Sequence, residues 1–244
     1  MISATQRIAG VGLALALGAN LWADEPADLI DAHLAAVGGT EALANIKTLQ
    51  RSGKAAVDSD FGQFEGTVRE VFVVGKKAYT SSDYGAFAEE RAWNGETAWA
   101  KNIQEGLKDL EGDDVEFLKM AAGADPIVAI QDQRGRAALE AKGEQEFDGE
   151  TYHAIKVADA DLTFFLDKET NLIAAMSTKG NDPALGGDYV VTVKYEQYKP
   201  VEGVQMPHKS IVDVAEGAFV IETTYEETTV NEPVDEELFE KPEQ

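Results

Sequence analysis

The chain contains no cysteine. A disulfide framework, a thiolate metal site and anchoring through a lipidated cysteine are therefore all excluded. Histidine is nearly as scarce. His33, His153 and His208 are the only three, and nothing in their spacing supplies the convergent ligand set that a metal site needs. Positive charge is also short, with 21 Lys and Arg against 45 Asp and Glu and a formal net charge of −24. Nucleic acid is thereby excluded as a partner, because phosphate binding requires a basic stripe. Attraction to an anionic membrane surface is excluded on the same ground.

The signatures of catalysis are missing too. The sequence has no metalloprotease helix with paired histidines, no P-loop, no dinucleotide fingerprint and no Gly-x-Ser-x-Gly elbow. "DLEGDDVE" at 109–116 gathers five carboxylates, but they do not alternate as a calcium loop demands. They read instead as a solvated helix start, favoured by the helix dipole. Among so many carboxylates the sequence singles out no acid–base pair. The expectation is a protein that is not an enzyme and that uses no cofactor and no metal.

Long hydrophobic runs are lacking as well. The apolar stretch Ile8–Leu17 falls short of the roughly 20 residues that cross a bilayer. It follows Arg7 and precedes the small Ala23 and the acidic "DEP", which is the layout of a secretory signal peptide cleaved after Ala23. Residues 1–23 are thus expected to be the signal, and 24–244 one exported domain. Removing the signal takes away Arg7 and no acidic group, so −24 becomes −25.

What is present is β pattern. After "EPADLIDAHLAAVGGTEALANIK", which reads as two short helices separated by Gly38–Gly39, the apolar residues recur with period two. Thr40 is expected to cap the second helix. His33 falls on the apolar side of the first and reads as a packed core or interfacial residue. In "FEGTVREVFVVGKKAYT", Phe64, Val68, Phe72 and Val74 point one way and Val71 and Val73 the other. The end of that strand therefore needs cover on both faces. "DYVVTVKYEQY" places Tyr189, Val191, Val193 and Tyr195 on one side, and "GAFVIETTYEETTV" does the same with Phe219, Ile221, Thr223 and Tyr225.

Turns punctuate the strands. "WNGETAWA" and "FDGETYHA" share Asn-Gly or Asp-Gly chemistry, so both are read as hairpins. "LDKETNLIAAMS" is a third. The region around Val115–Ala122 interrupts the strands with an amphipathic helix, N-capped by Asp113 or Asp114 and ended by Pro126. His153 shares strand parity with Ile155 and Val157, the position of a satisfied buried imidazole. "KPVEGVQMPHKS" reads as a strand–turn–strand corner because proline is barred from central ladder positions. His208 just beyond it is read as structural or exposed, not catalytic. In the acidic tail, Leu238 and Phe239 look like anchors.

Taken in order, "LIDAHLAAVGGTEALANIKTLQRSGKA", "AWNGETAW", "AKGEQEFDGETYHAIKV", "FLDKETNLI", "DYVVTVKYEQYKPVEGVQMPHKSIV" and "NEPVDEELFEKP" resemble the outer-membrane lipoprotein-sorting family, the LolA-like proteins. The resemblance covers nearly all of the chain after the signal. It implies a mainly β (α+β) fold: a strongly curved antiparallel half-barrel with short helices covering the open concave side. It further implies a periplasmic protein that binds lipid or lipoprotein acyl chains without a cofactor, and that takes part in outer-membrane biogenesis and transport. Arg51, Arg69 and Arg91 share the general position of the family's cargo-handling arginine, and the sequence does not choose among them.

Burying an acyl chain gains about 0.8 kcal/mol per methylene, so about 14 methylenes gross on the order of 11 kcal/mol without a specific polar contact. The residues expected to line such a site are Trp93, Trp99, Phe117, Leu118, Met120 and Phe164, with the helix at 114–122 as a gate. The alternative is an envelope sensor or scaffold of the same shape, whose partners are envelope membrane proteins.

Overall fold

The computed structural model describes residues 26–85, 87–123, 139–157, 162–182 and 187–243. The signal segment and Pro126 lie outside them. Two short helices come first, α1 (Pro26–Ala36) and α2 (Thr40–Ala44). Gly38 between them has φ +123°, and a Cβ there would sit 2.3 Å from the Gly203 carbonyl oxygen, so glycine alone fits. Thr40 is the first helical residue rather than the cap. The N-cap is Gly39, without a side-chain bond.

Strands β1 (Thr48–Ser59), β2 (Gly62–Val73), β3 (Lys77–Asp83), β4 (Ala88–Trp93), β5 (Ala98–Asn102) and β6 (Gly106–Leu110) then form a meander. Helix α3 (Asp113–Gly123) follows. Its first amides, on Val115 and Glu116, donate to the Gly112 carbonyl, so Gly112 holds the N-cap position and Asp113 already lies within the helix. After it come β7 (Leu139–Phe147), β8 (Glu150–Val157), β9 (Leu162–Leu166), β10 (Ile173–Asp182) and β11 (Gly187–Glu196). A small ribbon, β12 (Lys199–Val201) and β13 (Val204–Met206), precedes β14 (Lys209–Val214) and β15 (Phe219–Val230). A final 3-10 turn spans Glu236–Phe239.

Thirteen strands make one antiparallel sheet in the order β6-β5-β4-β3-β2-β1-β15-β14-β11-β10-β9-β8-β7. The first and last strands thus join at its centre, and β6 and β7 are left as edges. The sheet is an open half-barrel, not a closed barrel. The shared turn letters noted above produce two different loops. Asp148 and Gly149, at φ +50° and +81°, make a two-residue turn. Asn94 to Thr97 make a four-residue loop, in which Asn94 Oδ1 accepts from the amides of Glu96 and Thr97.

The ribbon β12–β13 is where sequence and structure part. It is not a corner of the main sheet but a separate pair, with Glu202 and Gly203 at the turn. The Gln205 amide bonds the Val37 carbonyl at 2.9 Å, and Val204 and Met206 are buried in the same cluster as α1. The ribbon therefore joins α1, α2 and α3 as a fourth piece of cover over the concave face. His208, at its base, is buried, with Nδ1 3.0 Å from the Met206 carbonyl.

Candidate functional site

The cross-strand register sorts the concave face into rows. Leu110, Ala98, Trp93, Ala78, Phe72, Leu49 and Val230 face one another across seven strands from β6 to β15. All seven belong to the main core, together with Leu29, Ile30 and Leu34 of α1 and Leu118 and Ala122 of α3. One step along the strands, the matching row is Lys108, Ala100, Arg91, Thr80, Glu70, Arg51 and Thr228. An apolar row under the helices thus borders a polar, charged one.

The widest row lies farther along the strands, separated from the charged one by the rows of Val68, Gly53 and Tyr225 and of Gly66, Ala55 and Thr223. Phe64, Val57, Ile221, Val212, Val193, Met176, Phe164, Ile155 and Ala141 are register partners across nine consecutive strands, from β2 to β7. At about 4.8 Å per strand this apolar stripe runs roughly 38 Å along the curve. Ile155, Phe164 and Val193 are buried, whereas Met176, Val212, Ile221, Val57 and Phe64 are only half-buried. Beside the stripe, Val191, Val214 and Phe219 are also half-buried.

The charged row holds one tight cluster. Arg51 is 8% exposed, and its Nη2 and Nε donate to Glu70 Oε2 at 2.8 and 2.9 Å. Its guanidinium carbon sits 4.4 Å from the centre of the Tyr225 ring, and the Tyr225 hydroxyl donates to Glu70 Oε1 at 3.2 Å. Burial pushes the Tyr225 hydroxyl above its ordinary pKa, against the lowering effect of the Arg51 charge. Farther along, Arg91 pairs with Glu89 at 2.7 Å and with Asp114 of α3 at 3.4 Å. Arg51 and Arg91 therefore face the concave side, and Arg69, one residue from Glu70 on the same strand, faces the other.

Three buried polar atoms have no hydrogen-bond partner among the described residues: Trp93 Nε1, Thr228 Oγ1 and His33 Nε2. Trp93 and Thr228 are in the concave rows just described, and His33 is on the helix that covers them. A bare buried donor or acceptor costs about 1–3 kcal/mol, so such atoms are rare in a finished core. His33 is fully buried, with Nδ1 donating to the Asn171 carbonyl at 2.9 Å. Burial outweighs that bond and holds its pKa below the ordinary 6.5.

The convex face is built differently. Val71, Tyr79, Ala92 and Trp99 form a cross-strand row there, and Phe239 packs on it with no exposed surface. The Trp99 indole N–H donates to the Phe239 carbonyl at 3.2 Å. Lys77–Glu236 at 2.6 Å and Lys241–Asp109 at 2.7 Å fasten the tail on both sides. On the other flank, Phe147 stacks on Phe165 with centroids 4.7 Å apart. Phe147 and Tyr152 line a cleft of about 630 Å³ beside Asp148, Glu150, Asp167 and Lys194, where Lys194 pairs with Asp148.

Of the residues expected to line the site, Trp93, Leu118 and Phe164 are brought together in one cluster on the concave side. Trp99 lies on the convex side under the tail. Phe117 and Met120 are on α3, but their side chains lie outside the described residues. Alternation in the sequence places Ile221 of β15 and Val193 of β11 each on one strand face, but only the register joins them into the stripe.

No family model and no curated protein matches the chain. Solved structures do. A DUF1329 family protein from Desulfovibrio piger superposes with a TM-score of 0.58 at 10% identity, over 89% of this chain and 98% of that one. A LolA superfamily protein from Nitrosomonas europaea gives 0.55 at 11% identity, over 89% and 98%. An outer membrane lipoprotein-sorting protein domain from Vibrio parahaemolyticus gives 0.53 at 12% identity, over 82% and 94%. The chain has the LolA-like fold.

Proposed function

We propose that this protein is an exported, non-catalytic binding protein for lipid or lipoprotein acyl chains, carried on the concave face of the sheet. The observation behind this reading is the nine-strand apolar stripe, half of which stays accessible at Phe64, Val57, Ile221, Val212 and Met176. A hydrocarbon chain laid along it gains about 0.8 kcal/mol per methylene removed from water. Trp93, Leu118 and Phe164 form the covered end of the same surface. Helix α3, which meets β2, β3 and β4, is the gate. The sorting role that names the Vibrio structure supports the reading, as does the signal-like sequence at 1–23. The periplasm is the compartment both favour.

Solvent extraction of the purified protein, followed by uptake of a fluorescent fatty acid, tests the proposal. Co-extracted lipid and saturable uptake are expected. A lipid-free extract with no uptake would contradict it.

A second reading, a scaffold for an envelope protein, draws on one feature. The loop tips carry Phe61 at 80%, Ile103 at 66% and Phe87 at 50% exposure, all at the rim farthest from α1 and α2. Co-purification of a partner that is lost on changing Phe61 and Ile103 to Ser, with no fatty-acid uptake in the unchanged protein, would favour it.

A further inference from the structure

We infer that the concave site takes a fatty-acyl ester, and that the Trp93 indole N–H donates a hydrogen bond to its carbonyl; this rests on the lipid-binding reading above. Trp93 is 8% exposed and projects from the concave face into the main core. Its N–H is fully buried and meets no acceptor among the described residues. The protein shows elsewhere how it handles such a group: the Trp99 N–H on the opposite face has the Phe239 carbonyl as its acceptor.

Position adds to the case. Trp93 stands in the apolar row that borders the charged one, two residues along β4 from Arg91. Thr228, whose hydroxyl is likewise buried without a partner among the described residues, stands in that second row on β15, four strands or about 19 Å from Trp93, beyond the reach of a carbonyl held at Trp93. A ligand that satisfies the Trp93 N–H has a hydrocarbon part and a neutral acceptor at the border between the apolar row and the charged one. A plain alkane offers no acceptor. A bare carboxylate would meet Glu70 and Glu89 in the neighbouring rows, although Arg51 and Arg91 offset them. An ester carbonyl accepts from Trp93 at that border without adding charge. Phospholipids and lipoproteins both carry it.

The test is indole N–H NMR of the full chain, which has three tryptophans, Trp22, Trp93 and Trp99, with the Trp93 signal identified by its loss in Trp93→Phe. Methyl decanoate and dodecane, chains of equal length, are titrated in turn while Ile and Val methyl signals report occupancy of the stripe. The expected result is that both probes move the methyl signals, only the ester moves the Trp93 N–H downfield, and Trp99 stays fixed. Trp93→Phe should then lose about fivefold in affinity for the ester and nothing for dodecane. If both probes move the methyls and Trp93 does not distinguish them, the ester assignment fails and the lipid reading stands. If neither moves the methyls, the lipid reading itself fails and takes this one with it. A phosphatidylethanolamine and a diacylated lipopeptide distinguish the sources. Whichever moves Trp93 at the lower concentration is the preferred carrier of the ester.

Discussion

Trp93 and Trp99 leave neighbouring strands of one sheet in opposite directions, and their indole groups meet opposite fates. On the convex side Trp99 is sealed under Phe239, its N–H bonded to that residue's carbonyl and the tail fastened by two ion pairs. On the concave side Trp93 is also buried, yet its N–H, the Thr228 hydroxyl and one nitrogen of His33 lack partners among the described residues. Farther along the strands on the same face, a long apolar stripe is only half-covered. The segment ending in Phe239 covers the β2–β5 part of the outer face. On the reading proposed above, a bound acyl chain completes the inner face.

The contrast can be broken from either side. The largest effect is expected on the sealed face: Phe239→Ala should cost about 3–5 kcal/mol in urea unfolding, while fatty-acyl affinity of the folded variant is unchanged. Coupled loss of affinity would show that the two faces are not independent. Next comes the buried pair on the concave side. Glu70→Ala leaves the Arg51 guanidinium buried without its carboxylate and should cost about 3 kcal/mol, against under about 1 kcal/mol for Glu236→Ala in the exposed tail pair. Equal costs would remove the distinction between a buried and a peripheral ion pair.

A smaller effect on stability, but a selective one on binding, is expected in the stripe. Val212→Asp places a charge on a half-buried apolar wall and should weaken fatty-acyl binding by at least roughly tenfold. Val190→Asp, on the far side of the neighbouring strand, should leave binding as it was. The smallest effect is that of pH. The His33 pKa is lowered in the folded protein, so the unfolded chain takes up a proton that the native state refuses. Stability is complete above the ordinary pKa of 6.5 and declines as pH falls below it. His33→Gln should flatten that decline in urea melts between pH 7 and 5. An unaltered slope would acquit His33.

Much of this architecture was legible in the sequence because period-two alternation assigns strand faces directly. The two-sided strand end at Val71–Val74 is found covered on both faces, and Leu238 and Phe239 do anchor the tail. Alternation separates two faces but does not say which one is concave; only the helices and the register decide that. Trp99 illustrates the limit. Its aromatic character suits a lipid site, but the four-residue loop after Trp93 sets Trp99 opposite Ala92 on the convex side. The ribbon at 199–206 was hidden for another reason. Its strands are three residues long, too short for a pattern, and its place is fixed by distant contacts to Val37 and the core. The unpartnered atoms were beyond reach in principle, since a missing partner is a property of packing.

The most direct test follows methyl signals of Ile, Val and Met during titration with a decanoyl ester. The account predicts saturable shifts at Val57, Val193, Val212, Ile221 and Met176, with Val71, on the convex side, unmoved. Shifts confined to the convex side, or none at any concentration, would contradict it.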